Sequence, residues 1–349
     1  MQSFIFLIIQ VVFFLAGHKE KISANADAII TRGQMPNIVI DNREKINLVY
    51  GLGDSIMYSY SSDKGSTFAN PILISELPGL AASHTRGPQI AFTKDGLLVT
   101  ACTSSGNIFS YKTGASGKWY QTSRVNDVDT VAKENLMALS ADGNNAFAVW
   151  LDLREKHNKI YGAGSTDGGK TWSRNKLIYA SPDATVCECC KPSVAVKGNS
   201  VYVMFRNWLK GNRDLYLIQS ADNGNTFGKA EKLGNGSWAL NGCPMDGGSL
   251  AVDKKGNLQT VWNRKGTIYA CEPGKNETEL GKGRSCTLET VNGKNIYAWI
   301  ENGEVVVLKP GGKKVLGKGQ LPLIKAVDND HVLCVWENEK QIHKALIEL

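Results

Sequence analysis

The chain has 349 residues, 36 of them glycine, and a net charge of +7. A surplus that small, with no block of like charge, excludes an extended basic surface, so nucleic acid is not expected as a partner. Short β-rich runs broken by Asn-Gly and Asp-Gly turns indicate an all-β protein, and the length suits an architecture that grows by repetition.

At the N-terminus, Phe4 to Gly17 is almost wholly apolar and is interrupted only by Gln10. A bilayer span takes about 20 residues, so this run is short for a membrane anchor. Ala24-Asn25-Ala26 offers a small-residue cleavage site, and Ala16-Gly17 is a second one. Residues 1–26 therefore read as a leader and 27–349 as one domain. The expected product is secreted or periplasmic, monomeric, and without a stable membrane span. A buried N-terminal strand is the alternative reading, since no Lys or Arg precedes the apolar run.

Beyond the leader, seven sheet units follow in order. Their inner strands are expected to begin near Pro36, Pro88, Asn135, Pro192, Gly247, Ser285 and Pro322. Second strands end in pairs such as Val149-Trp150, Met204-Phe205, Val261-Trp262, Ala298-Trp299 and Val335-Trp336. Aromatics at that repeated position read as packing between units. The last unit stops after its third strand, and Ala28 to Thr31 is available to supply the fourth, closing a ring and removing an open edge.

Three units carry a shared turn. Ser61 to Phe68, Ser165 to Trp172 and Ser220 to Phe227 all read Ser-x-Asp-x-Gly-x-Thr-aromatic. The structural residues are Asp63, Gly65 and Phe68; Asp167, Gly169 and Trp172; and Asp222, Gly224 and Phe227. Asp accepts backbone N–H bonds in a tight turn, and Gly allows positive φ. The copies at Ser165 and Ser220 are 55 residues apart (220 − 165), and those at Ser61 and Ser165 are 104 apart, about two units. Gly114 to Trp119, Pro273–Gly283 and Pro310–Gly319 stand at the corresponding places in units two, five and six.

This pattern resembles the Asp box, or BNR repeat, of the sialidase superfamily and related β-propellers. The resemblance implies a β-propeller of four-stranded blades. Seven blades are expected from the count, with six, the number usual for sialidases, as the alternative.

In such a meander, the loops entering the inner strands share one face with the loops between second and third strands. Ligands of propellers bind at the channel mouth on that face. Arg32, Arg86, Glu134, Asp246 and Arg284 map to the inner-strand entries; Asp54, Asp152, Arg154, Arg206, Arg213 and Arg264 map to the second set of loops. Arginine makes forked contacts with carboxylates and phosphates, so the rim reads as a site for an anionic glycan or small acidic ligand. The alternative is that these arginines pair with Asp152, Asp214 and Asp246 to brace adjacent blades.

Sialidases hold a substrate carboxylate with three arginines and use a Tyr nucleophile and an Asp acid/base. By resemblance, Arg32 stands where the first arginine is found, but in Arg-x-x-x-Pro spacing. Asp54 falls in the acid/base region, and Arg206 and Arg264 match by position. No tyrosine stands at a late inner-strand entry. Glycoside hydrolysis of exo-sialidase type is therefore one reading and non-catalytic binding another. The segment Cys187-Glu188-Cys189-Cys190-Lys191-Pro192, followed by Arg206-Asn207 and Gly242-Cys243-Pro244, is similar to a group of exported bacterial sialidase-like proteins.

Eight cysteines are present. In an exported protein disulfides are the first expectation. A bridge from Cys187–Cys190 to Cys243 would join neighbouring blade entries, and Cys271 could meet Cys286. Cys102 and Cys334 read as buried thiols. No cofactor is required, but Cys187, Cys189, Cys190 and Cys243 are soft ligands that would also suit copper or zinc, in what would be a non-enzymatic metal or redox propeller.

Overall fold

We describe a computed structural model of the chain over residues 28–349; the leader expected over 1–26 lies outside the described residues. There are 28 strands, from β1 (Ala28–Arg32) to β28 (Gln341–Glu348), and the described residues contain no helix. They form seven antiparallel four-stranded sheets. The fold is a seven-bladed β-propeller, and the six-blade alternative is set aside.

The inner strands begin within two residues of their expected starts: β2 (Gln34–Ile40), β6 (Gln89–Thr93), β10 (Met137–Asp142), β14 (Ser193–Lys197), β18 (Gly248–Val252), β22 (Arg284–Val291) and β26 (Gln320–Ala326). Blade 7 consists of β26, β27 (His331–Asn338), β28 and β1, and Ala28 pairs with Lys344. Ring closure by an N-terminal strand is thus as expected. Two expected turns are different. Nearly half of Pro273–Gly283 and most of Pro310–Gly319 is fourth strand, β21 (Thr278–Lys282) and β25 (Gly312–Lys318). Their Lys and Gly content hid the extended backbone, because an outermost strand faces water and has no apolar alternation to display.

Each second strand crosses the middle of its blade, so its residues are covered from both sides. Trp150, Trp262, Trp299, Trp336, Tyr50 and Phe205 are all at most 2% exposed. In blades 1, 6 and 7 the inner strand enters against this aromatic. A Cβ on Gly33 would lie 2.3 Å from Tyr50, on Gly283 2.4 Å from Trp299, and on Gly319 2.2 Å from Trp336. The same strands then bulge by one residue opposite the ring. Glycine is required there by contact with an aromatic face as well as by φ.

The three repeated turns share one hydrogen-bond pattern. Ser61 Oγ donates to Asp63 at 2.6 Å, and Asp63 accepts from the Thr67 amide at 2.9 Å. The corresponding distances are 2.7 and 3.0 Å at Asp167 and 2.7 and 2.8 Å at Asp222. Each turn is pressed onto the preceding blade: a Cβ on Gly65 would meet Leu333 at 3.1 Å, on Gly169 Leu98 at 2.4 Å, and on Gly224 Phe147 at 2.1 Å. Phe227 meets Phe147 edge-on at 5.8 Å, and Trp172 Nε1 donates to Ser110 at 3.0 Å. Two lysines, not singled out from the sequence, strengthen this seam. Buried Lys112 donates to the Gly168 carbonyl at 2.6 Å, and Lys344 donates to the carbonyls of Gly65 and Ser66.

Burial alone would raise the pKa of Asp63 and Asp167, but the hydrogen bonds from Ser and Thr hold both at about 2. The Thr226 amide and hydroxyl hold Asp222 at about 2 as well. Carboxylates depressed in this way stabilise the fold fully above the unfolded value of about 3.9, and the contribution is lost as pH falls to about 2. Thermal melts between pH 5 and 2 should show the wild type losing stability steeply over that window. The triple variant Asp63→Asn, Asp167→Asn, Asp222→Asn should start less stable and show a shallower slope; an equal slope would mean the turns contribute nothing.

Candidate functional site at the axial mouth

The inner strands surround a central cavity of about 670 Å³. Its wall combines apolar residues of the inner strands with Lys94, Lys191, Lys325, Asp142, Asp246 and Glu289 as charged members. Lys325 pairs with Glu289 at 2.9 Å, and Asp142 lies 3.4 Å from Lys197. Lys191 makes no ion pair among the described residues. Its Nζ donates to Gln89 Oε1 at 2.9 Å, reaching past blade 3 to blade 2. Asn37 of blade 1 donates to the same oxygen at 3.0 Å, while Gln89 Nε2 is held by the Gly87 and Pro88 carbonyls. Burial without a counter-charge lowers the Lys191 pKa to about 8.

The entries leading into this mouth are strained. Met35, Thr85, Asn135, Met245, Ser285 and Leu321 all have φ between 49° and 71°. Left-handed backbone at non-glycine residues persists only where surrounding contacts impose it. At Asn135 the imposing contact is its own side chain, which donates to the Thr103 carbonyl at 2.7 Å.

The arginines expected to line the mouth are mostly braces, and no arginine lines the cavity among the described residues. Arg154 forks onto Asp152 at 2.9 Å through both Nε and Nη2, and Trp150 donates to the same carboxylate. Arg264 forks onto Glu277 and stacks on Tyr269. Arg206, 1% exposed, donates to four backbone acceptor contacts: the Asp246 carbonyl twice, the Arg213 carbonyl and the Asn263 carbonyl. Arg86 ties two entries together through the carbonyls of Glu134 and His84. Arg32 ends β1, the outermost strand of blade 7, rather than opening an inner strand. Arg284 is exposed at the entry of blade 6 and close enough to lower the pKa of Asp246. Arg206, expected in a loop, lies within the second strand of blade 4 (Ser200–Leu209), where its side chain turns into the seam, and Arg32 is separated from the inner strand of blade 1 by Gly33.

Two acidic positions are also occupied. Asp54 Oδ1 accepts the Gly79 amide at 3.0 Å, fixing the link between blades 1 and 2. Asp246, 4% exposed, accepts from Asn263 at 2.8 Å and the Ser285 amide at 3.0 Å; burial nonetheless raises its pKa. Gly247, next to it, runs against the Lys191 carbonyl, where a Cβ would lie 2.3 Å away. The entries of blades 4 and 5 therefore abut.

A disulfide joins those two entries, Cys189–Cys243, with Cα atoms 6.3 Å apart. The expected staple is present. Cys271 and Cys286 are both free and buried, so the second expected bridge is absent. Cys187 and Cys190 are buried beneath the disulfide with sulfurs 3.4 Å apart, and Arg213 Nη1 donates to Cys187 Sγ at 3.0 Å. The contact with Cys190, together with the charges of Arg213 and Arg206, outweighs burial and brings Cys187 down to about 6; Cys190 is pushed up by burial. Cys187, Cys189 and Cys190 could hold a metal ion.

No family model and no curated protein matches the chain. Several solved structures do. The polysaccharide lyase Uly1 is 9% identical with a TM-score of 0.57, over 92% of this chain and 91% of that one. Virginiamycin B lyase from Staphylococcus aureus is 12% identical with a TM-score of 0.56, over 92% of this chain and 98% of that one. The NanB sialidase from Streptococcus pneumoniae is 13% identical with a TM-score of 0.45, over 94% of this chain and 70% of that one. At such identities the likeness to the two lyases concerns the propeller fold alone and assigns no chemistry. Among the described residues, no helix is long and apolar enough to cross a membrane.

The contrast between braced and free arginines is measurable. Arg206→Ala leaves buried carbonyls without donors and should lower stability by about 2–4 kcal/mol in urea titrations. Arg284→Ala, with an exposed side chain, should stay within about 0.5 kcal/mol of wild type.

Proposed function

We propose that this chain is an exported, sialidase-like propeller that recognises an anionic glycan or another small acidic ligand at its axial mouth. One observation carries the reading: Lys191 places an ammonium in the central cavity against a neutral amide and without a carboxylate partner among the described residues. A half-buried cation lacking counter-charge is costly, and an acidic ligand would supply that charge. Asn37 and Gln89 add polar groups beside it, and exposed Arg284 adds a second cation at the neighbouring rim. The cavity volume falls within the range of small-molecule sites. The shared Ser-Asp-Thr bonding of the three turns supports reading them as Asp boxes. The apolar run from Phe4 to Gly17 supports secretion or a periplasmic location. We take the mature protein as a monomer.

Binding is placed ahead of hydrolysis. Asp54 is engaged by the Gly79 amide, and no tyrosine lines the cavity among the described residues. Asp246, with its raised pKa, is the carboxyl that an exo-sialidase reading would have to use as an acid.

Calorimetry with sialic acid, uronic acid oligosaccharides and their neutral analogues tests the reading. Acidic members should bind and neutral ones should not. Lys191→Met should weaken binding about tenfold or more. Because only the ammonium form attracts the ligand, affinity should be level below pH 8 and fall as pH rises beyond the Lys191 pKa of about 8. A fluorogenic sialoside should show no turnover. Equal affinity in Lys191→Met, or no binding across the acidic panel, would reject the proposal.

A further inference from the structure

The sulfur group above the mouth exceeds what a staple needs. A staple uses two cysteines, here Cys189 and Cys243. Cys187 and Cys190 lie directly against it: Cys187 Sγ is 3.8 Å from Cys189 Sγ and 3.4 Å from Cys190 Sγ, and Cys189 and Cys190 are 4.0 Å apart. Four sulfurs from two blades thus meet in one place. Cys102 and Cys334, buried on second strands, serve as ordinary core thiols.

The spacing has a chemical meaning. A tetrahedral ion with metal–sulfur bonds of about 2.3 Å has sulfur–sulfur edges of about 3.8 Å, and a trigonal one about 4.0 Å. The three distances bracket those edges. The surroundings fit thiolates as well. Arg213 donates to Cys187 Sγ at 3.0 Å and is itself oriented by the Leu240 carbonyl. Arg206 is fixed beside it through the Arg213 carbonyl. Four thiolates around a divalent ion carry a charge of −2, which two fixed guanidinium groups offset. Donors that orient ligating sulfurs in this way tune metal affinity. Access comes from one side: Cys187 and Cys190 are buried, Cys189 is half-buried and Cys243 is exposed.

We propose that Cys187, Cys189, Cys190 and Cys243 form a site for one soft d10 cation, zinc(II) or copper(I), and that the Cys189–Cys243 disulfide is the oxidised, metal-free state of that site. An external dithiol opens it: the dithiol loses two electrons and two protons and becomes a disulfide, while Cys189 and Cys243 become thiols. The entering cation displaces the thiol protons to solvent. In either state the entries of blades 4 and 5 remain joined, by a sulfur–sulfur bond or by the ion. The proposal stands apart from the acidic-ligand reading, since neither needs the other.

The full chain, purified without chelator, is divided into oxidised and dithiol-reduced samples. Each is titrated anaerobically with zinc alone and with copper(I) alone, and metal is counted by mass spectrometry after desalting. Reduced protein should retain one equivalent of at least one of the two metals, and oxidised protein only traces. Cys187→Ser and Cys190→Ser should each lose about 100-fold or more in affinity, and Cys334→Ser should behave as wild type. Alkylation of the native wild type covers the case in which a variant fails to fold. In reduced protein, Cys189 and Cys243 should be labelled without metal and protected with it. Reduced, folded wild type that retains neither metal, or labelling indifferent to metal, would overturn the proposal.

Discussion

Contact between neighbouring blades is the constraint on which this molecule depends. A four-stranded blade has two faces and cannot bury both by itself. Each must find its cover on the next blade, and around a ring that demand is the same seven times. In blades 1, 3 and 4 the seam is pinned by a turn whose glycine rests on the sheet behind it: Gly65 on Leu333, Gly169 on Leu98 and Gly224 on Phe147. The Asp side chain closes the turn from within, so its shape does not depend on the partner. Lys112 and Lys344 then reach across from the preceding blade to the turn carbonyls. Blades 5 and 6 lack the motif, and Trp299 of blade 6 and Trp336 of blade 7 instead donate their indole N–H groups to the carbonyls of Lys282 and Lys318, at the ends of the fourth strands of blades 5 and 6.

That division explains what could be seen in the sequence. The blades were legible because an aromatic near the end of most second strands, three Asp-x-Gly turns and a Pro or Gly at most entries recur in a common order. Ring closure by residues near Ala28 followed from counting strands. The site was much less legible. A sequence places an arginine near one end of a blade but says nothing of its direction. Arg206 looked like Arg284 until burial separated them: one is sealed against carbonyls and the other faces solvent. Lys191 was visible only as the residue after a cysteine run. Its importance comes from a contact with Gln89, 102 residues away and two blades distant. The Cys-x-Cys-Cys segment was legible as unusual, and Cys243 as its partner. That Arg213 would touch the same sulfurs was not, because that contact joins the middle of one blade to its own entry.

The two features of the mouth share one piece of chain. Cys190 and Lys191 are consecutive, and the Lys191 carbonyl lies against Gly247, beyond Cys243 and Asp246 on the adjoining entry. Met245 and Ser285 hold left-handed conformations at the edges of the same region. Left-handed backbone at non-glycine residues persists at these entries because contacts between neighbouring entries impose it.

The pairing of β1 with β28 has a consequence for how the molecule comes into being. Ala28 and Lys344, 316 positions apart (344 − 28), are register partners. A chain that emerges in order exposes β1 more than 300 residues before its mate. For that whole interval the first strand has no place in the ring, and blade 1 has no seventh blade to rest Gly65 against. Six seams can form as the chain appears, while the last must wait for both ends. Ring closure is therefore a single late event of long loop closure, slow by topology. The unpaired edge of β28 must be kept from other chains until it happens.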